Sequence, residues 1–198
     1  KAINANSKLA SMDISIIPQG SYKSKTNVKN DSDVDICVCL NSTFFPRYPE
    51  GKTKEHYGNT DGSITFSEFK NLVQTALEDY FGKSNVTRGN KAFDIHSNSY
   101  RVDADVVPAF AYRYYYDTGY NWHDPEGICF IADDGKRIIN WPHQTYENCK
   151  NKHDVTGQRY RKITRRSFLF KAVRSNRGWH GSRATLDLPG PDAERNCR

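Results

Sequence analysis

Two hydrophobic periods run through the chain. Alternation of period two, the mark of a half-buried strand, appears first in Asp13-Ile14-Ser15-Ile16-Ile17 and again in Asp33-Val34-Asp35-Ile36-Cys37-Val38-Cys39-Leu40. It returns in Arg101-Val102-Asp103-Ala104-Asp105-Val106-Val107. In the second run Val34, Ile36, Val38 and Leu40 are expected to share the core face, with the two aspartates opposite. Shorter strand signals flank Gly89-Asn90 and Asp133-Asp134-Gly135, so each pair reads as a hairpin: Val86–Arg88 with Ala92–Ile95, then Gly127–Ile131 with Arg137–Trp141.

Helical spacing appears in Phe69, Leu72, Val73, Ala76, Leu77 and Tyr80. Thr65 and Glu68 stand where a capping box needs them, and Gly82 is a C-terminal stop, so a helix over 65–81 is predicted. A second, basic amphipathic helix is predicted from Gln158 to about Arg177, with Ile163, Phe168, Leu169, Phe170 and Val173 inward. Residues 1–12 read as a short helix or the end of a longer one. Pro46, Pro49, Gly51, Gly58 and Gly62 mark 41–64 as loop, and the Tyr-rich 111–126 reads the same way. From Trp179 to Arg198 no period is visible, and a poorly ordered tail is expected.

Composition narrows the class. A chain of 198 residues can enclose one core. With 36% hydrophobic and 26% charged residues it reads as soluble with a wet surface. No run approaches the roughly 20 apolar residues of a membrane helix, and the first residues lack the apolar core of a secretory signal. The five cysteines include no Cys-x-x-Cys pair, and no histidine spacing suggests zinc, so reduced thiols in a cytoplasmic protein are expected. The net charge of +6 is uneven: ten basic residues lie between Lys150 and Arg177 with Asp154 as the one acid. Such a stripe suits phosphate.

Asp33 and Asp35 carry the candidate chemistry. Two carboxylates ~4 Å apart at an effective dielectric of ~20 repel by roughly 4 kcal/mol. Water relieves that on a surface; in a cleft, a divalent cation does. Asp103 and Asp105 repeat the pattern on a later strand. Upstream, Gly20-Ser21 follow Pro18-Gln19, and a glycine there allows backbone to approach a phosphate. Asn59-Thr60-Asp61-Gly62-Ser63-Ile64 with Glu68 mimics half a calcium loop, but Tyr57 stands at its first ligand position, which excludes calcium.

Gly-Ser, then Asp-x-Asp, then a later lone Asp resembles the nucleotidyltransferase superfamily of polymerase β. Asp105-Val106-Val107-Pro108-Ala109-Phe110 resembles the third-carboxylate strand of oligoadenylate synthases and of bacterial enzymes like cyclic GMP-AMP synthase. The resemblance implies an α+β fold, a mixed twisted sheet with flanking helices. Residues 1–142 would form the catalytic core, 143–178 a basic helical segment opening a second, helical lobe, and 179–198 the tail. It implies transfer of a nucleotidyl group from a nucleoside triphosphate, ATP or GTP, to make a cyclic or linear oligonucleotide second messenger of antiphage type. The alternatives are another acceptor (an antibiotic, a protein or an RNA 3′ end) and an inactive nucleic-acid-binding relative. Asp33, Asp35 and Asp105 would be catalytic and hold two Mg²⁺ ions, with Mn²⁺ as the substitute. Gly20 and Ser21 would hold the β- and γ-phosphates, with Lys171 as a further phosphate contact. A nucleic-acid or protein activator is expected on the basic helix; no membrane partner is expected.

Overall fold

A computed structural model describes residues 1–27, 33–99, 102–117 and 126–165. Two short helices, α1 (Ala2–Ala5) and α2 (Ser7–Ala10), lead into β1 (Ile14–Pro18). Then come α3 (Gly20–Ser24), β2 (Val34–Arg47) and α4 (Phe66–Phe81). The hairpins β3 (Val86–Arg88) with β4 (Phe93–Ile95) and β6 (Gly127–Ile131) with β7 (Arg137–Asn140) flank β5 (Ala104–Tyr114) in sequence. Helix α5 (Pro142–Val155) follows, and residues 160–165 are helical again.

The strands form one mixed seven-stranded sheet. β1 pairs antiparallel with β2, and β2 pairs parallel with β5. Because β2 occupies one edge of β5 along its length, the other edge is shared. β4 pairs with Val106–Ala104 and β6 with Phe110–Tyr112. α4 lays Phe69, Val73, Ala76 and Leu77 into the core with Cys37 to Leu40, Phe93, Ile95 and Phe110. Its start is fixed as the capping box requires: Thr65 N donates to Glu68 Oε2 (2.8 Å), and Glu68 N donates to Thr65 Oγ1 (3.3 Å). Gly82, at φ 88°, ends it.

Four expectations are corrected. β2 does not stop at Leu40. It passes an irregularity between Leu40 and Phe44, then pairs Phe44–Arg47 with Ala111–Tyr114 of β5. Neither 41–47 nor 111–114 is therefore loop. β1 ends its pairing at Leu40, so Pro46 sits where β2 has no partner on the β1 side, which an edge tolerates. The strand predicted to begin at Arg101 begins at Ala104. The expected two-faced burial of β2 also fails past Ile36: Cys37, Val38, Cys39 and Leu40 are all buried, because both faces of the sheet are covered there. Finally, helix begins at Pro142, ahead of the predicted basic helix. Gly157 and Gln158, both at positive φ, turn the chain before residues 160–165. The remainder of that helix, Lys171 and the 179–198 tail lie outside the described residues.

One charged side chain is buried among the helix's apolar residues. Lys70 of α4 is 2% exposed. Its ammonium donates to Asp133 Oδ1 (2.7 Å) and to the Asn90 carbonyl (3.1 Å), and Arg88 grips both oxygens of the same carboxylate. This ties α4 to both hairpin turns. Arg88 and Lys70 hold the Asp133 carboxyl down at about 2. Its contribution is therefore complete above the ordinary carboxylate value and fades as pH falls toward about 2. Asp133→Ala is expected to destabilise the fold by about 3 kcal/mol, since it strands a buried ammonium. Lys70→Met should cost less, because it leaves no buried charge. Urea denaturation of the two variants checks the order.

Candidate active site

The parallel pairing of β2 with β5 assembles the site. Asp35 and Asp105 are register partners, so their side chains lie side by side on one face of the sheet. Asp33 stands just before β2 at the same parity as Asp35, exposed. Burial, then repulsion from Asp33, raises the proton affinity of Asp35. Burial raises Asp105 too, followed by the charges of Asp94, Asp33 and Asp35. Four acids thus converge electrostatically at the start of two central strands.

Asp94 was missed in the sequence. It lies at the centre of β4, between buried Phe93 and Ile95, and is the antiparallel register partner of Asp105. The row across the sheet is Asp35, Asp105, Asp94. The signal was an acid alternating with two core residues in a predicted hairpin strand; what the sequence could not supply was the pairing of that strand with β5. Asp103, the alternative to Asp105, is spent elsewhere. Its Oδ1 accepts from Ser97 N (2.6 Å), which lowers its proton affinity, and its carbonyl accepts from Val34 N (3.0 Å).

Gly20 and Ser21 open α3, and Gln19 N donates to the Asp35 carbonyl (2.9 Å), tying the turn to β2. Gly20 has φ +60°. A Cβ there would come 1.8 Å from Asp35 Oδ2 and 2.7 Å from its Cγ. Glycine is thus required twice, by backbone conformation and by contact with a site carboxylate. Gln19 Nε2 beside this turn is buried with no hydrogen-bond partner among the described residues.

These donors fit a hard cation. They are all carboxylate oxygens, and burial, with neighbouring carboxylates second, raises the proton affinity of Asp35 and Asp105. Among the described residues no group of three or more His, Cys, Asp or Glu side chains encloses a metal-sized point. Asp35 and Asp105 are two such donors side by side, as many as a hard divalent cation takes when water and substrate phosphate supply the rest. Two cavities lie away from the acids. One, about 740 Å³, is bordered by Ser42, Tyr48, Lys54 and Asn59; the other, about 450 Å³, by Met12, Ile64 and Leu72.

Residues 1–82, which hold the Gly-Ser turn and the Asp-x-Asp strand, match the family described as nucleotidyltransferase domain. The cyclic dipyrimidine nucleotide synthase CdnE of Legionella pneumophila is 44% identical over 190 residues, 95% of this chain and 63% of that protein. Residues 1–82 thus match a nucleotidyltransferase domain, and nearly the whole chain is similar to this synthase. The cyclic GMP-AMP synthase CdnE03 of Staphylococcus schleiferi is 43% identical over 82% of this chain and 50% of its own length. The solved c-UMP-AMP synthase CdnE of Rhodothermus marinus, with Apcpp and Upnpp, superposes with a TM-score of 0.73 at 29% identity, covering 90% of this chain and 62% of that one. The α+β fold of this chain is accordingly the polymerase β-like one. The chain spans between half and somewhat under two thirds of these relatives. No helix among the described residues is long and apolar enough to cross a membrane.

Proposed function

We propose that this nucleotidyltransferase joins nucleoside triphosphates into a cyclic or linear oligonucleotide second messenger of antiphage type, releasing pyrophosphate. The observation that supports this best is the side-by-side placement of Asp35 and Asp105 with Gly20 packed on the Asp35 carboxylate. In each transfer a ribose hydroxyl oxygen forms a bond to the α-phosphorus, the bond from that phosphorus to the bridging oxygen breaks, and the hydroxyl proton must leave. Asp105 is suited to accept it, since burial and Asp94 both strengthen its hold on a proton. Gly20 and Ser21 present the turn on which the β- and γ-phosphates rest. Asp33, Asp35 and Asp105 would hold two Mg²⁺ ions, or Mn²⁺ in their place, which neutralise phosphate charge and lower the pKa of the attacking hydroxyl. Lys171 is retained as a further phosphate contact, and an activator of nucleic acid or protein on the basic segment remains part of this reading. The reaction is placed in the cytoplasm, where the triphosphates are.

The similar enzymes are named for both pyrimidine- and purine-containing products. ATP and GTP are therefore tested beside CTP and UTP. The test offers all four ribonucleoside triphosphates with Mg²⁺ and reads pyrophosphate and products by mass spectrometry. Oligonucleotides absent from an Asp33→Ala/Asp35→Ala protein are expected. A nucleotide attached to an added antibiotic, protein or RNA, without oligonucleotides, would overturn the assignment.

A further inference from the structure

The far end of α3 is held by side chains from the segment after the sheet. A helix leaves its last carbonyls without donors from within. Here the Ser24 carbonyl accepts from Arg161 Nε (3.0 Å) and from Cys149 Sγ (3.6 Å), and the Lys25 carbonyl accepts from Arg165 Nη2 (2.7 Å). The Lys23 ammonium sits over the Tyr146 ring, 4.8 Å from its centroid. Lys25 itself is in the left-handed conformation (φ 55°), which points these carbonyls outward as α3 ends. Arg161 and Arg165 are one helical turn apart and so share a face. The turn at Gly157-Gln158 aims that face at α3, with Arg161 N donating to His153 Nδ1 at 3.5 Å.

Two members of the basic stripe are thus engaged with backbone oxygen. α3 has five residues, about 7.5 Å of helix, so the clamped carbonyls and Gly20 are opposite ends of one short rod. The Gly20 end rests against the Asp35 carboxylate with no room to spare. A shift at Ser24 must therefore reappear at the turn.

We propose that Arg161 and Arg165 are positioning residues for the triphosphate: by capping the Ser24 and Lys25 carbonyls they set where the Gly20-Ser21 turn stands against Asp35. This rests on the nucleotidyltransferase reading above. It makes Arg161 and Arg165 part of the nucleotide site without contact with the nucleotide.

The test compares wild type, Arg161→Ala/Arg165→Ala and Arg161→Lys/Arg165→Lys in the full chain, well below their melting temperatures. Hydrogen exchange over residues 19–27 is read without nucleotide. The affinity for a non-hydrolysable ATP analogue with Mg²⁺ and the split between KM and kcat are read with it. In the alanine protein, exchange is expected to quicken and the Kd and KM to rise about 10–100-fold, the usual effect of losing an orienting partner. The kcat should stay within about 3-fold. The lysine protein, which keeps a donor for each carbonyl, should recover most of the affinity. A KM that rises with unchanged exchange would mean direct phosphate contact and overturn the proposal. Faster exchange with unchanged KM would mean a structural brace only, and would overturn it equally. A wild-type protein that binds no triphosphate analogue would instead overturn the nucleotidyltransferase reading on which the proposal stands.

Discussion

Asp35→Asn is expected to abolish nucleotidyl transfer while producing a protein that melts above the wild type. The carboxylate is half-buried beside Asp33 and Asp105, and burial and repulsion raise its proton affinity in the folded state. A carboxyl with a raised folded pKa opposes folding at neutral pH: stability falls as pH rises from the ordinary carboxylate value through the raised one. Asn keeps the shape and removes the charge. A gain on the order of 1 kcal/mol, the upper range for a partly solvated charge pair, corresponds to about 2–4 °C in a domain of this size. The difference should vanish below about pH 4, where the wild-type group is protonated, and Mg²⁺ should raise the wild-type Tm more than the variant's. If Asp35 holds a metal as proposed, losing that oxygen removes several kcal/mol of transition-state stabilisation, a fall of at least about 10³-fold. Thermal melts across pH, with and without Mg²⁺, and initial rates of pyrophosphate release test both halves. An Asn protein melting below wild type at pH 7 would contradict the electrostatic account.

Gly20→Ala should do comparable damage by a different route, and without the gain in stability. A left-handed backbone costs a residue with a Cβ roughly 1–2 kcal/mol. The added carbon would also lie inside the Asp35 carboxylate, 1.8 Å from Oδ2. Either the turn retreats or Asp35 rotates away from Asp105. A displacement near 1 Å in a positioned site costs about 10²-fold. The expected result is a fall of that order or more in kcat/KM with a lowered Tm. Asp35→Ala on the Gly20→Ala background should add little further loss of activity, since both changes displace one carboxylate.

What could be read from the sequence was what is local. The capping box at Thr65 and Glu68, the spacing from Phe69 to Leu77 and the hairpin turns at Gly89-Asn90 and Asp133-Asp134-Gly135 each carry their determinants within a few residues, and each stands as read. That Asp33 shares a face with Asp35, and Asp103 with Asp105, was legible because alternation fixes a strand's faces without fixing its neighbours; the choice of Asp105 over Asp103 rested on the likeness of Asp105-Val106-Val107-Pro108-Ala109-Phe110. The failures lie where distant segments meet. Pro46 and the tyrosines near 112–115 looked like loop because nothing nearby announces that the second half of β2 finds β5. Asp94 became a neighbour of Asp105 only through the β4–β5 register. Arg161 and Arg165 stood out only as members of a basic stripe, because charge is visible in a sequence and the carbonyls they meet are not.

The long β2–β5 pair has a consequence for how the protein acquires its site. Asp35 and Asp105 are far apart in the chain, and α4 with a whole hairpin lies between them. Parallel pairing at such separation requires closing a long loop before any contact compensates for it, and folds dominated by such pairings form slowly. α4 and the β3–β4 hairpin can form early from local signals, but they bring no two of Asp35, Asp94 and Asp105 together. Binding of a divalent ion during refolding should therefore appear only with the last, slowest phase. A nascent chain whose synthesis has not passed β5 would hold both acids of the Asp-x-Asp pair and still be unable to spend a triphosphate.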